Sequence, residues 1–249
     1  MSQVVSYCSY PRCGNSFLRK YLQNITGIAT GSDMSLEFNI DLQLEDFKAE
    51  EITDASVWIR KSHEPKPNLN NKTNKCNKIL CCVRNPYDCI SSLMHFLPTL
   101  NQGGQINEKF TEIPEVWNKL VTEATDSQER YYRELDEIKD VPIYYIRYED
   151  LYLNPQQTLE EVFCFLLDLK SLDGLNIQKR IQEVVSMGHQ ASVVYAQKIK
   201  DKSIVFNRNI KEFNPEQREY VASKMKEFME TFGYCSQVDG LEEKEWVQE

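Results

Sequence analysis

The sequence predicts an α/β protein: a three-layer sandwich with a central parallel sheet flanked by helices on both faces. Three observations carry this expectation. Short β-branched and aromatic runs alternate along the chain with segments whose apolar residues recur at helical spacing. The chain opens as strand, turn, helix, and the alternation continues toward the C-terminus. Its 249 residues suffice for one buried core, and no linker, internal repeat or low-complexity stretch divides them, so residues 1–249 are expected to form one domain with an acidic, flexible tail at 236–249.

Val4–Tyr10 is the first expected strand and breaks at Pro11. Phe17, Leu18, Tyr21 and Leu22 then share one helical face within Ser16–Asn24, and Asn15 or Ser16 is a suitable helix start. Ser56–Arg60 and Lys78–Val83 read as strands, with an Asn- and Lys-rich exposed loop at Asn68–Asn77 between them. A helix after Pro86 carries Ile90, Leu93, Met94 and Leu97, and a loop follows at Pro98–Gly104. Trp117–Ile138 reads as a long polar-faced helix, Val141–Arg147 as a strand and Thr158–Leu167 as a helix. The remainder is mostly helical.

Net charge is −9, from 29 basic and 38 acidic residues. An acidic protein is a poor partner for nucleic acid. The charge is uneven, however: residues 1–124 hold 13 basic and 14 acidic residues, leaving 16 and 24 for the rest. The longest aliphatic and cysteine run, Ile79–Val83, is far short of the roughly 20 residues of a membrane span. No basic segment precedes the apolar stretch at Val4, so the expected location is cytoplasmic. The 8 cysteines form neither a CxxC pair nor a Cys/His ligand set, which predicts reduced thiols and no metal site.

Three expected strand ends present cations. Tyr10-Pro11-Arg12-Cys13-Gly14-Asn15-Ser16 joins the first strand to the first helix, the junction where ligands collect in open α/β sheets. A helix N-terminus there favours an anion, Gly14 permits close backbone approach, and Arg12 adds a planar cation suited to phosphate or sulfate. Arg60-Lys61-Ser62-His63-Glu64-Pro65 follows a second strand, placing His63 near positive charge, where it is a candidate base. Arg84-Asn85-Pro86-Tyr87-Asp88 follows a third, with Ser92 two turns into the next helix. The first turn lacks GxxxxGK[ST], which disfavours an ordinary ATPase or GTPase. It equally admits a plain turn with an exposed Arg.

Together these segments resemble the sulfotransferase family that uses 3′-phosphoadenosine 5′-phosphosulfate (PAPS). SYPRCGNSFLRKYL is similar to that family's 5′-phosphosulfate loop, YPKSGTTW, with its YPRSGN variant. RKSHEP resembles KTHxP, and CCVRNPYDCISSLMHF resembles the 3′-phosphate segment RNPKDxxxSxxHF. IYYIRYEDLYLNPQQTLEEVFCFL resembles RYEDLxxNPxxTLxxxxxFL, and FNPEQREYVASKMKEFMETFGY resembles the FTPEQ…FGY ending. The five segments occur in the family's order.

The resemblance implies a P-loop-like fold and a set of roles. His63 falls on the general base, Lys61 on the Lys assisting at the transferring sulfonate, and Arg12 on the Lys that neutralises charge at the bridging oxygen. Cys13, Gly14, Asn15 and Ser16 fall on the 5′-phosphate cradle. Phe17 and Tyr148 lie near the adenine, Arg84 and Ser92 at the 3′-phosphate, and Arg208 is the one candidate from the compressed late segment Ser203–Lys211. PAPS is then the co-substrate and PAP the product, without a metal. The acceptor is a small molecule or a carbohydrate bearing a hydroxyl or amine, contacted by loops 30–47 and 98–113. Either a monomer or a homodimer fits, as the dimer signature KxxxTVxxxE is absent.

The departures define the alternatives. Arg stays protonated, so Arg12 neutralises charge but donates no proton, and Cys13 replaces a Ser. A PAP- or PAPS-binding protein with weak chemistry is one alternative. The other is a phosphatase built on Cys13-x5-Arg19, with a thiolate nucleophile at a strand-to-helix turn.

Overall fold

The computed structural model describes residues 4–33, 47, 49–54, 56–65, 76–96, 113–187 and 209–235. They fall into two compact units: residues 1–83 with 135–202, and residues 84–134 with 203–249.

The first unit holds a six-stranded sheet in the order β3-β2-β4-β1-β5-β6, every pair parallel. The strands are β1 (Val5–Cys8), β2 (Gly31–Ser32), β3 (Ala49–Glu50), β4 (Ile59–Ser62), β5 (Lys78–Val83) and β6 (Ile143–Arg147). The expected α/β class with a parallel sheet is therefore what the chain adopts. Helix α1 (Asn15–Thr26) follows β1, while α4 (Tyr148–Leu153), α5 (Pro155–Leu167) and α6 (Asn176–Met187) follow β6. Val5, Tyr7, Ile59, Leu80, Cys82 and Ile146 cover one sheet face and pack with Phe17, Leu18, Leu22 and Ile25 of α1 and with Leu159, Val162, Phe163 and Leu166 of α5. Each such buried aliphatic side chain contributes about 1.5–3 kcal/mol. Lys78 on β5 donates from Nζ to the carbonyls of Phe165 (2.7 Å) and Leu166 (3.1 Å), closing the C-terminus of α5 with a cation.

In the second unit, α2 (Pro86–Phe96) and most of α3 (Pro114–Asp136) precede a 3-10 turn at Ile210–Glu212, α7 (Pro215–Lys224) and α8 (Lys226–Thr231). Asn214 and Gln217 cap α7 reciprocally. Tyr87, Phe213 and Trp117 form an aromatic cluster, with Phe213 5.3 Å from Tyr87 and 5.4 Å from Trp117 between ring centres. Ser91 Oγ and Trp117 Nε1 both donate to Glu212, at 2.7 and 3.1 Å. No helix of the described residues is long and apolar enough to cross a membrane.

Several boundaries differ from expectation. The strand expected at Ser56–Arg60 lies later, at Ile59–Ser62, because pairing with β1 puts Ile59 opposite Val5. The loop expected at Asn68–Asn77 lies mostly outside the described residues, and Cys76 at its end is buried rather than exposed. The expected loop Pro98–Gly104 and the tail 236–249 lie outside them as well. All eight cysteines are free, and Cys8, Cys13, Cys76, Cys81, Cys82 and Cys89 are buried.

Candidate active site

β1 delivers the chain into the turn Tyr10–Gly14, and α1 begins at Asn15. Arg12 takes a left-handed backbone at φ 70°, a conformation uncommon for a non-glycine residue and frequent at functional turns. Gly14 follows at φ 94°. A Cβ on Gly14 would lie 2.5 Å from Cδ2 of Tyr148, so only glycine lets that ring lie against the turn. Tyr148 also meets Phe17 edge-on, with ring centres 6.0 Å apart. The two side chains expected near an adenine are thus neighbours. No side chain caps α1, so the amides of its first turn project into the β1–α1 turn.

The end of β4 supplies the second part of the site. Lys61 pairs with Tyr7 of β1 and Ser32 of β2, and Ser32 pairs with Glu50 of β3. Paired residues of parallel strands point to one face, which here is the face covered by α1. Lys61 is only 4% exposed. Burial pushes its ammonium down to about 8, with the charge of Arg19 adding and Glu50 and Asp33 opposing. His63 follows two residues on. Its Nδ1 lies 3.1 Å from the Ser9 carbonyl oxygen and 3.4 Å from the Asn15 side-chain amide. Burial pushes the imidazolium down to about 3, and the charge of Lys61 acts in the same sense. His63 is therefore neutral at neutral pH, with Lys61 charged beside it.

Beneath the turn, Arg19 is fully buried. It donates through Nε and Nη2 to Thr30 Oγ1 and the Thr30 carbonyl, both at 2.9 Å, and pairs with Glu50 at 2.5 Å. Its guanidinium also lies 4.4 Å from the ring centre of Phe47. This disposes of the Cys13-x5-Arg19 arrangement as a phosphatase loop: the Cys13 residue is 0% exposed, and the guanidinium is engaged by Glu50 and Thr30. Sequence reading missed Glu50 and the inward course of Arg19.

The structure thus brings Arg12, Cys13, Gly14, Asn15, Ser16, Phe17, Lys61, His63 and Tyr148 to the carboxyl ends of β1, β4 and β6. Arg84 and Ser92 belong to the second unit, Arg84 directly after β5 and Ser92 on α2. Asn85 Oδ1 accepts from the Tyr87 amide at 3.0 Å and fixes the entry to that helix. Arg208 lies outside the described residues. Among the described residues no group of three His, Cys, Asp or Glu side chains is disposed to hold a metal ion.

Curated protein sequences give no match. A mouse sulfotransferase, SULT7A1, in a crystal structure with PAP superposes with a TM-score of 0.58 at 15% identity, over 96% of this chain and 88% of that one, which shows a shared fold. A sulfotransferase domain from the curacin biosynthetic pathway aligns at 15% identity over 91% of this chain and 98% of the other, with a TM-score of 0.43. The sulfotransferase domain of the Synechococcus PCC 7002 olefin synthase aligns at 18% identity over 93% and 94%, with a TM-score of 0.44. The family profile of the sulfotransferase domain matches residues 5–233, nearly the whole chain, and the protein therefore belongs to the sulfotransferase domain family and is a sulfonate-transferring enzyme.

Proposed function

We propose that the protein moves a sulfonate group from PAPS to a hydroxyl or amine of a small-molecule acceptor, with His63 as general base. The observation that carries this reading is the pairing of a neutral imidazole with a charged, buried ammonium, two residues apart on one strand end beside an anion-favouring turn. The residues present fit the co-substrate. A helix N-terminus without a side-chain cap, the cation Arg12 and the side-chain-free Gly14 suit a 5′-phosphosulfate, and Phe17 with Tyr148 offers an aromatic wall for a purine. PAPS supplies the sulfonate and a leaving phosphate.

His63 takes the proton as the acceptor oxygen or nitrogen attacks sulfur in line. Arg12 faces the negative charge that grows on the departing bridging oxygen, where a preorganised donor is worth about 3 kcal/mol, and Lys61 assists at the transferring sulfonate. Cys13, Gly14, Asn15 and Ser16 hold the 5′-phosphate. Arg84, Ser92 and Arg208 are assigned to the 3′-phosphate on the sequence resemblance.

The test is transfer from isotopically labelled PAPS to a panel of hydroxyl and amine acceptors, with PAP binding followed by calorimetry. His63→Ala is expected to keep PAP binding and lose transfer by about a hundredfold or more. Arg84→Ala is expected to lose PAP binding. Full transfer by the His63→Ala variant would remove His63 from the reaction.

A further inference from the structure

We propose that Asn15 is a positioning residue for His63: its side-chain oxygen and the Ser9 carbonyl bracket the Nδ1 proton, leaving Nε2 as the basic nitrogen. The inference rests on the reading of His63 as the base and adds what sets its tautomer.

The argument starts at Nδ1. A neutral imidazole carries one proton, on Nδ1 or on Nε2. Two groups reach Nδ1, the Ser9 carbonyl oxygen at 3.1 Å and the Asn15 amide at 3.4 Å. A backbone carbonyl only accepts, and it makes the shorter contact. Nδ1 therefore bears the proton, because a lone pair there would face the carbonyl oxygen directly. An amide N–H cannot then donate to Nδ1, and the Asn15 amide presents its oxygen instead. A half-turn about the last side-chain bond achieves this without moving any other atom, since the amide oxygen and nitrogen have nearly the same shape.

The burial pattern is compatible with the half-turn. Asn15 is only 6% exposed. With the nitrogen toward His63, Oδ1 is buried without a partner, a costly state for a polar atom. With the oxygen toward His63, Oδ1 gains the imidazole N–H. The N–H2 then stands where Oδ1 stood, so an orphaned acceptor is exchanged for an orphaned donor, and the Ser9 contact decides the orientation.

The arrangement matters most as the reaction proceeds. When Nε2 takes up the acceptor proton, the ring becomes a cation whose Nδ1–H now has two acceptors. Hydrogen bonds to an ion are stronger than those to a neutral group, so the bracket favours the protonated ring over the resting one. It opposes the burial and the Lys61 charge that keep the resting ring neutral. Asn15 thereby links the turn that holds the co-substrate to the base that serves the acceptor.

Nitrogen-15 NMR of the imidazole rings tests the proposal in the free protein, without activity. Only three histidines are present, and a His63→Gln spectrum identifies the signal. The expected wild-type state has hydrogen on Nδ1 and a lone pair on Nε2. In Asn15→Asp, which keeps the shape and places a carboxylate against Nδ1–H, the His63 titration should move up by about one pH unit or more. At saturating PAPS, Asn15→Ala should lower kcat roughly ten- to a hundredfold, the worth of one hydrogen bond to an ion. A wild-type proton on Nε2, an unmoved titration in Asn15→Asp, or a kcat within twofold in Asn15→Ala would each overturn the proposal. Transfer surviving in His63→Ala would instead overturn the base assignment, and the tautomer measurement would stand apart from it.

Discussion

Lys61 and His63 lie two residues apart, and the charge of Lys61 helps to keep the His63 ring neutral. Lys61 remains charged at neutral pH but near its limit, since burial brings it to about 8. Transfer should therefore fall on the alkaline side with a midpoint near pH 8 as Lys61 loses its charge. Lys61→Arg, which stays protonated throughout, should push that fall to higher pH even where its maximal rate is lower. A pH profile of kcat/KM measures this, and an alkaline limb unmoved in Lys61→Arg would assign it to another group. Both shifts are downward, so the folded chain binds fewer protons than the unfolded one between about 3 and 6.5 at His63 and between about 8 and 10.5 at Lys61. Stability contributed by these groups rises with pH through each window. The placement of Arg12, Lys61 and His63 at strand ends was legible in the sequence, because Arg12 and His63 follow strands, Lys61 lies in the last two residues of one, and all three sit in chemically suggestive strings. Arg19 was legible only as half of the Cys13-x5-Arg19 phosphatase alternative and Glu50 was not legible: Arg19 stands next to Lys20 in an amphipathic helix and reads as solvent-facing, and nothing local says that its partner lies 31 residues on.

At the scale of elements, the Arg19–Glu50 pair ties α1 to β3, the outer strand of the sheet, and holds the floor under the site. Both side chains are 0% exposed. Removing one partner of such a pair leaves a buried charge uncompensated and typically costs about 3–5 kcal/mol, whereas replacing both with apolar groups can be nearly neutral. Glu50→Ala should therefore destabilise the fold by about 3–5 kcal/mol, and Arg19→Met combined with Glu50→Leu should cost less than either single change. Urea unfolding of the wild type, Glu50→Ala, the two singles Arg19→Met and Glu50→Leu, and their double measures this. A double variant as unstable as the sum of the singles would mean that the pair does not act as a unit. The short strands explain why this part of the fold escaped sequence reading. β2 and β3 have two residues each, too few to show a period of two. β2 can lie where it does because Gly31 has no side chain, as a Cβ there would meet the Ile52 carbonyl oxygen at 2.1 Å and Val57 at 2.7 Å. By contrast β5 and the helix of α5 showed plainly, since six consecutive buried residues and a full helical apolar face leave a signal in sequence.

For the whole molecule, the unit borders fall where composition gives no sign. One lies between Val83 and Arg84, at the end of β5, and the next between Glu134 and Leu135, inside α3. A chain read for linkers shows none at either place. The polypeptide crosses from one unit to the other three times, and at the second crossing the backbone is continuous helix from Pro114 to Asp136. Leu135, which is fully buried, and Asp136 close α3 on the first-unit side of that border, so melting either unit frays the helix where it crosses, and so short a piece forms no stable helix alone. The two units should accordingly unfold in a single transition. Trp58 packs against the core of the first unit, and Trp117 is buried in the second, donating to Glu212. In a Trp246→Phe background, removing Trp58 or Trp117 in turn leaves one reporter per unit. Urea curves from the two reporters should then share one midpoint and one slope. Two separated midpoints would show that the continuous helix does not couple the units, and that the strand-end cations and the residues after β5 are held by parts of the chain that fold independently.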